Sequence, residues 1–249
     1  MSRSVEHYPN APIQEALIDI QVTAHPDFAV EQLKSFGQGL EKHFPEVQEN
    51  VQLIQGLQFL LGGESQTFSS SKTVDGYLFK SKTDGKTVQA RRDSFTFNKL
   101  RPYTDWKDFG SEAKELWQRY SELAKPVAIR RLGLRYINRI EVPQGILDLR
   151  EICLLFPDIP QPIPQGLAEF FQRFVAPKDN GLISVVSLAL DYLRPEARPA
   201  IILDIDVFCM IGNAGNQSEA MWSRFEEMRV LKNEIFSASL SEKAKALFQ

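Results

Sequence analysis

The chain has 249 residues, 43% of them hydrophobic and 24% charged, the make-up of an ordinary soluble globular protein with one large core or two modest ones. Its net charge of -3 and pI near 5.8 lack the basic excess of a general nucleic-acid coat, so nucleic acid is disfavoured as a partner and only a local basic groove stays open. No apolar run approaches the ~18 residues of a membrane span, and "MSRSVEHYPNAP" has no apolar core for a secretion signal. Cys153 and Cys209 lie far apart in apolar runs without CxxC spacing, which predicts buried thiols and a cytoplasmic setting.

Residues 13–23, "IQEALIDIQVT", alternate as a strand: Ala16, Ile18, Ile20 and Val22 on one face, Glu15, Asp19 and Gln21 with Leu17 on the other. A helix is expected next, capped by Asp27, with Val30, Leu33, Phe36, Leu40 and Phe44 as its stripe and Pro45 as its stop. Residues 51–61, 66–81 and 86–98 read as three strands, the last two joined by a hairpin turn at Asp84-Gly85. A helix follows from Asp105, with Trp106, Phe109, Ala113, Leu116, Trp117, Tyr120 and Leu123 on its apolar side.

The second half repeats this order. Residues 127–142 are a strand, 147–156 a short helix capped by Asp148, and a proline ribbon follows. Residues 167–175 fit strand or helix; 182–193 and 200–210, rich in β-branched residues, are strands. Residues 218–236 are a helix with the stripe Met221, Phe225, Met228, Leu231 and Ile235. A last helix is expected from Ser239 with Glu242 closing a capping box, pinned by Leu247 and Phe248. The fold class this predicts is α+β: a mostly antiparallel sheet with helices on one face, in a single compact domain spanning 1–249 with pseudo-repeat halves 1–126 and 127–249.

The chemistry-bearing residues sit on the polar faces of three strands. In "LGLRYINRIEV", Leu132, Leu134, Tyr136 and Ile140 share one face, while Arg131, Arg135 and Arg139 share the other with Gly133 and Ile137. Asp204 and Asp206 form a like pair on the strand at 200–210, beside Ile202 and Phe208. With Asp19 and Glu15 these residues are the candidate charged-face site. Internal pairing is the first expectation, Arg135 and Arg139 meeting Asp204 and Asp206 first and Asp19 or Glu15 next, since an unpaired, partly buried arginine row costs roughly several kcal/mol. An anion site, or a divalent cation held by the two aspartates, is the alternative chemistry. A face of both signs also suits a polyanion tunnel of the triphosphate-tunnel type, although those enzymes open with alternating glutamates and a lysine where this chain has Asp19 and Gln21.

Other signatures are lacking. His7, His25 and His43 have no metal-ligand spacing, and no nucleophile elbow, Walker loop or dinucleotide fingerprint occurs. No catalytic residue, metal ligand or cofactor is nominated. "LLGGES" and "SSSKT" read as turn and polar β-structure, and Trp106, Trp117 and Trp222 as core.

"PNAPIQEALIDIQV", "LGLRYINRIEV", "LDIDVF" and "LKNEIFSASLSEKAKALF" in this order resemble a sporadically distributed bacterial family without an established activity. The resemblance covers nearly the whole chain. It implies mobile genes of the defence or toxin–antitoxin kind. The function expected is a non-enzymatic interaction or regulatory protein working with a protein partner. The alternative is a metal-dependent phosphate-ester or nucleotide enzyme using Asp204 and Asp206 with Arg135 and Arg139.

Overall fold

The computed structural model describes residues 8–58, 67–146, 148–160, 162–163, 169–191, 198–212 and 218–249, of which 52–58, 67–72 and 218 by backbone alone. The first half runs β1 (Ile13–Thr23), a 3-10 turn (Val30–Gly37), β2 (Glu46–Gln58), β3 (Thr67–Lys80), β4 (Lys86–Arg91), β5 (Ser94–Leu100) and α1 (Trp106–Ala124). The second runs β6 (Ala128–Glu141), a 3-10 turn (Leu149–Glu151), β7 (Phe171–Pro177), β8 (Ile183–Asp191), β9 (Ala200–Met210), α2 (Ser218–Ser239) and α3 (Glu242–Lys245).

The nine strands form one sheet in the order β2-β3-β4-β5-β1-β6-β9-β8-β7, with every neighbouring pair antiparallel. β1 and β6 lie side by side at its centre. In each half the chain leaves its central strand, passes a 3-10 turn and jumps to the outer edge. It then returns by a meander to pair with that same central strand, and enters a helix. The α+β class with helices on one face is thus the architecture of the chain. No helix among the described residues is long and apolar enough to cross a membrane.

The alternation of the strands decides which face the helices cover. Ile18 stands opposite Phe97 and Leu134, and Leu134 opposite Val207, so one apolar row crosses four strands. Phe109 of α1 stacks on Phe97 at 5.2 Å between ring centroids, and Trp117 and Tyr120 pack on Phe95. Phe225 and Met228 of α2 are fully buried on the same side. Leu134 and Tyr136 lie under the helices as expected, and Asn138 joins them, donating to the Leu203 carbonyl at 3.0 Å. α1 starts where the sequence places it: Asp105 accepts from the Asp108 amide at 2.8 Å, a cap worth about 1 kcal/mol.

Several local expectations change, and one ambiguity is resolved. The helix expected after Asp27 is a 3-10 turn whose N-cap is Ala29; its buried residues Val30, Leu33 and Phe36 recur every third position, the period of a 3-10 helix. The strand expected over 86–98 is two strands meeting at Arg92 and Asp93, and the buried parity shifts from Val88 and Ala90 to Phe95 and Phe97 across that turn. The short helix over 147–156 shrinks to one 3-10 turn, although Asp148 does cap it. The ambiguous segment is a strand from Phe171. The last helix is capped by Ser241, because α2 continues to Ser239, whose hydroxyl donates to the Ile235 carbonyl at 2.7 Å. At the end of the chain Phe248 is buried against Tyr8 and Phe236, whereas Leu247 is exposed.

Candidate functional site

The face opposite the helices carries the arginine row, and strand register sets who meets whom. Arg135 stands directly opposite Asp206, and Ile137 opposite Asp204. The fork of Arg135 reaches diagonally to Asp204, Nε to Oδ1 at 2.8 Å and Nη2 to Oδ2 at 2.6 Å. This two-toothed, charge-assisted contact holds the Arg135 pKa above its usual value.

Arg131 turns back along its own strand. Its Nη2 lies 3.2 Å from Asp206 Oδ2 and its Nη1 3.7 Å from Asp19 Oδ1, so one guanidinium bridges carboxylates on strands either side of β6. Underneath, the Phe208 ring centroid is 4.4 Å from the guanidinium carbon. Gly133 makes the arrangement fit: a Cβ built there would stand 2.8 Å from Arg131 Nη1. A glycine inside a strand marks a bulge or a close approach, and here the group that approaches is this guanidinium.

Burial raises the pKa of both Asp19 and Asp206, and Arg131 opposes the shift in each. Like charge adds to each rise: Asp206 raises Asp19, and Asp204 raises Asp206. Asp19 Oδ1 has no hydrogen-bond partner among the described residues.

Arg139 does not meet Asp206. It stands opposite Ile202, four residues along β9 from Asp206, and donates to Asp191 at 3.0 Å, Glu141 at 3.1 Å and the Arg198 carbonyl at 3.2 Å. Glu15 takes a hydrogen bond from Asn98 Nδ2 at 2.7 Å and adds to the field around Arg135 without an ion pair to another described residue. The structure therefore gathers Arg131, Arg135, Asp19, Asp204 and Asp206 into one network, places Glu15 beside it, and sets Arg139 in a second cluster at the strand ends.

Chemically the network is occupied by itself. A cation at Asp204 would have to displace the Arg135 fork, and an anion at Arg131 would have to displace two carboxylates. Among the described residues no three His, Cys, Asp or Glu side chains gather as metal ligands. His25 caps its own turn, accepting from the Asp27 amide at 3.3 Å, and His43 is exposed; His7 and "LLGGES" lie outside the described residues. Trp117 is buried in the core, and Trp106 and Trp222 pack against its rim.

The same face changes character from side to side. Across β4 and β5 it shows Thr87, Gln89, Thr96 and Asn98; its centre is the charged network; across β8 and β7 it shows Ile183, Val185, Ala189, Val175 and Phe171. Phe171 is 65% exposed and Val175 52%. The sequence reading missed this apolar flank, because 167–175 fitted two periods. Fixing it as a strand would have placed Phe171, Arg173 and Val175 on one face.

On the helix side, Tyr103 and Tyr136 share a hydroxyl–hydroxyl hydrogen bond of 2.9 Å, and Lys232 Nζ lies 3.9 Å from the Tyr136 ring centroid. Burial pushes Tyr103 up to about 12 and Lys232 down to about 7, with Arg229 adding to the Lys232 shift, while the aromatic face beneath Lys232 favours its charged form.

No protein-family model matches the chain, and no curated protein or solved structure is significantly similar to it.

Proposed function

We propose that the chain is a non-enzymatic interaction protein that holds a protein partner on the helix-free face of its sheet, at the β7–β8 flank. One observation carries this reading: large apolar side chains are exposed together there, Phe171 and Val175 over Val185 and Ala189, next to a charged centre that spends its groups on itself. Apolar area of this kind at the rim of a sheet is what a partner removes from water. The charged centre then acts as a rigid floor. The resemblance to a sporadically distributed bacterial family agrees with a partner encoded nearby.

The test is comparative capture from an extract of the native host with the full chain, a Phe171→Asp/Val175→Asp variant, and a Gln89→Glu control on the polar flank. The expected result is at least one protein retained by wild type and control in near-equal amount to the bait and lost from the apolar-flank variant. Equal retention by all three, with unchanged circular dichroism, rejects the reading. Metal-dependent hydrolysis of a phosphate ester that disappears in Asp204→Asn would put the enzyme alternative in its place.

A further inference from the structure

We infer that the partner is engaged as an added β-strand: an extended segment with alternating apolar residues and a carboxylate at its centre pairs with the free edge of β7 and places that carboxylate on Arg173. This rests on the interaction reading above and names the partner's chemistry.

The backbone supplies the first argument. Among the described residues β7 ends the sheet and pairs only with β8. The Leu190 amide donates to the Phe170 carbonyl, so in an antiparallel ladder the pairs 172/188, 174/186 and 176/184 exchange bonds and the residues between them face outward. The outward N–H and C=O groups therefore belong to Phe171, Arg173 and Val175. None of these has a backbone bond to another described residue beyond β8. Pro177, without an N–H, closes the row.

The side chains supply the second. The same three residues point to the helix-free face, because they stand opposite Ala189, Ser187 and Val185. Phe171 and Val175 offer apolar positions two apart on either side of Arg173, the spacing at which an added strand presents its own alternate side chains.

Charge supplies the third and selects the occupant. Arg131, Arg135 and Arg139 each have carboxylates within the sheet, whereas Arg173 is exposed and has no hydrogen bond or ion pair with a described residue. An edge strand with a lone cation repels a second copy laid symmetrically about Arg173, since the two guanidinium groups would stand opposite each other. A strand with a central acid has no such penalty. The opposite edge strand, β2, carries Glu46 and Glu49 instead, so the two edges do not offer the same surface.

The probe is a pair of synthetic nine-residue peptides alternating valine and threonine, one with a central glutamate and one with a central lysine, titrated against the full chain. The glutamate peptide is expected to bind and to slow amide exchange at Phe171, Arg173 and Val175. The lysine peptide is expected to bind about fivefold more weakly, and Arg173→Glu to reverse the preference. Val175→Pro removes one outward N–H without touching the β8 ladder and should abolish binding. If that variant is unfolded, the charge reversal in Arg173→Glu decides alone. Equal binding of both peptides, or protection elsewhere than β7, overturns the strand-addition inference. If host capture still depends on Phe171 and Val175 in that case, the interaction reading stands without it. A concentration-dependent dimer that Val175→Pro abolishes assigns the edge to a second copy and also overturns the inference.

Discussion

At the centre of the helix-free face three arginines are each answered by carboxylates, while on the β7 edge of that face Arg173 is answered by none among the described residues. For Arg131 and Arg139 the difference follows from depth, while Arg135, 43% exposed, is held by its two-toothed contact with Asp204. Arg131 and its partners are less than about a third exposed, so each charge must be matched by another to make up for lost hydration. Arg173 and the apolar pair around it stand in water, where neither charge nor apolar surface has been required to find an internal partner. The centre is thus a structural use of charge and the edge an unspent one.

The sharpest way to break this contrast is to remove the cation that two carboxylates share. Arg131→Ala is expected to cost about 2–3 kcal/mol at neutral pH, less than for a fully dry pair because solvent reaches its edge. The loss should shrink on acidification. The folded-state pKa values of Asp19 and Asp206 are raised, so their contribution to stability is fully present below the unfolded value near 4 and is lost as pH rises through the folded values. Removing Arg131 raises both further. Urea midpoints at several pH values check this; a deficit that stays constant or grows toward low pH contradicts the shared-cation arrangement.

A smaller effect separates true partners from neighbours. The double-mutant cycle of Arg135→Ala with Asp204→Ala should show a coupling of about 0.5–1 kcal/mol, as for cross-strand charge pairs. The cycle of Arg139→Ala with Asp206→Ala should add within about 0.5 kcal/mol, because register keeps those residues four positions apart. Additivity in the first cycle, or coupling in the second, would mean a different β6–β9 register.

The smallest effect is expected at the edge. Arg173→Ala should change stability by less than about 0.5 kcal/mol in the same denaturation experiment, since it removes no contact with another described residue. A loss comparable to that of Arg135→Ala would show that Arg173 has an internal role and would remove the reason to assign it to a partner.

Much of this molecule was legible in its pattern. The alternation in "LGLRYINRIEV" separates Leu134 and Tyr136 from the arginines, and the hairpin at Asp84-Gly85, the Asp105 cap and the stripe from Met221 to Met228 all lie where local chemistry puts them. The division at Arg92 and Asp93 was written in the shift of buried parity from Ala90 to Phe95, and the 3-10 turn in the three-residue spacing of Val30, Leu33 and Phe36. These are short signals set against a longer run of similar residues, and the longer run dominated. Glu242 pointed to a cap three residues before it, but Ser239 is held inside α2 by its bond to Ile235, and Ser241 takes the role.

The sequence by itself determined the faces: period-two alternation fixes which side chains share a side of a strand, and sign alone required that a partly buried arginine row find carboxylates. Only the tertiary structure decided the partners. Which strands are neighbours, and in what register, depends on long-range packing of the two meanders around β1 and β6. That packing set Arg135 on Asp204, gave Asp206 and Asp19 to Arg131 across Gly133, sent Arg139 to Asp191, and left β7 with Arg173 at the edge. A one-dimensional pattern carries the direction of each side chain but not the identity of the strand beside it, and at this face the chemistry depends on that identity.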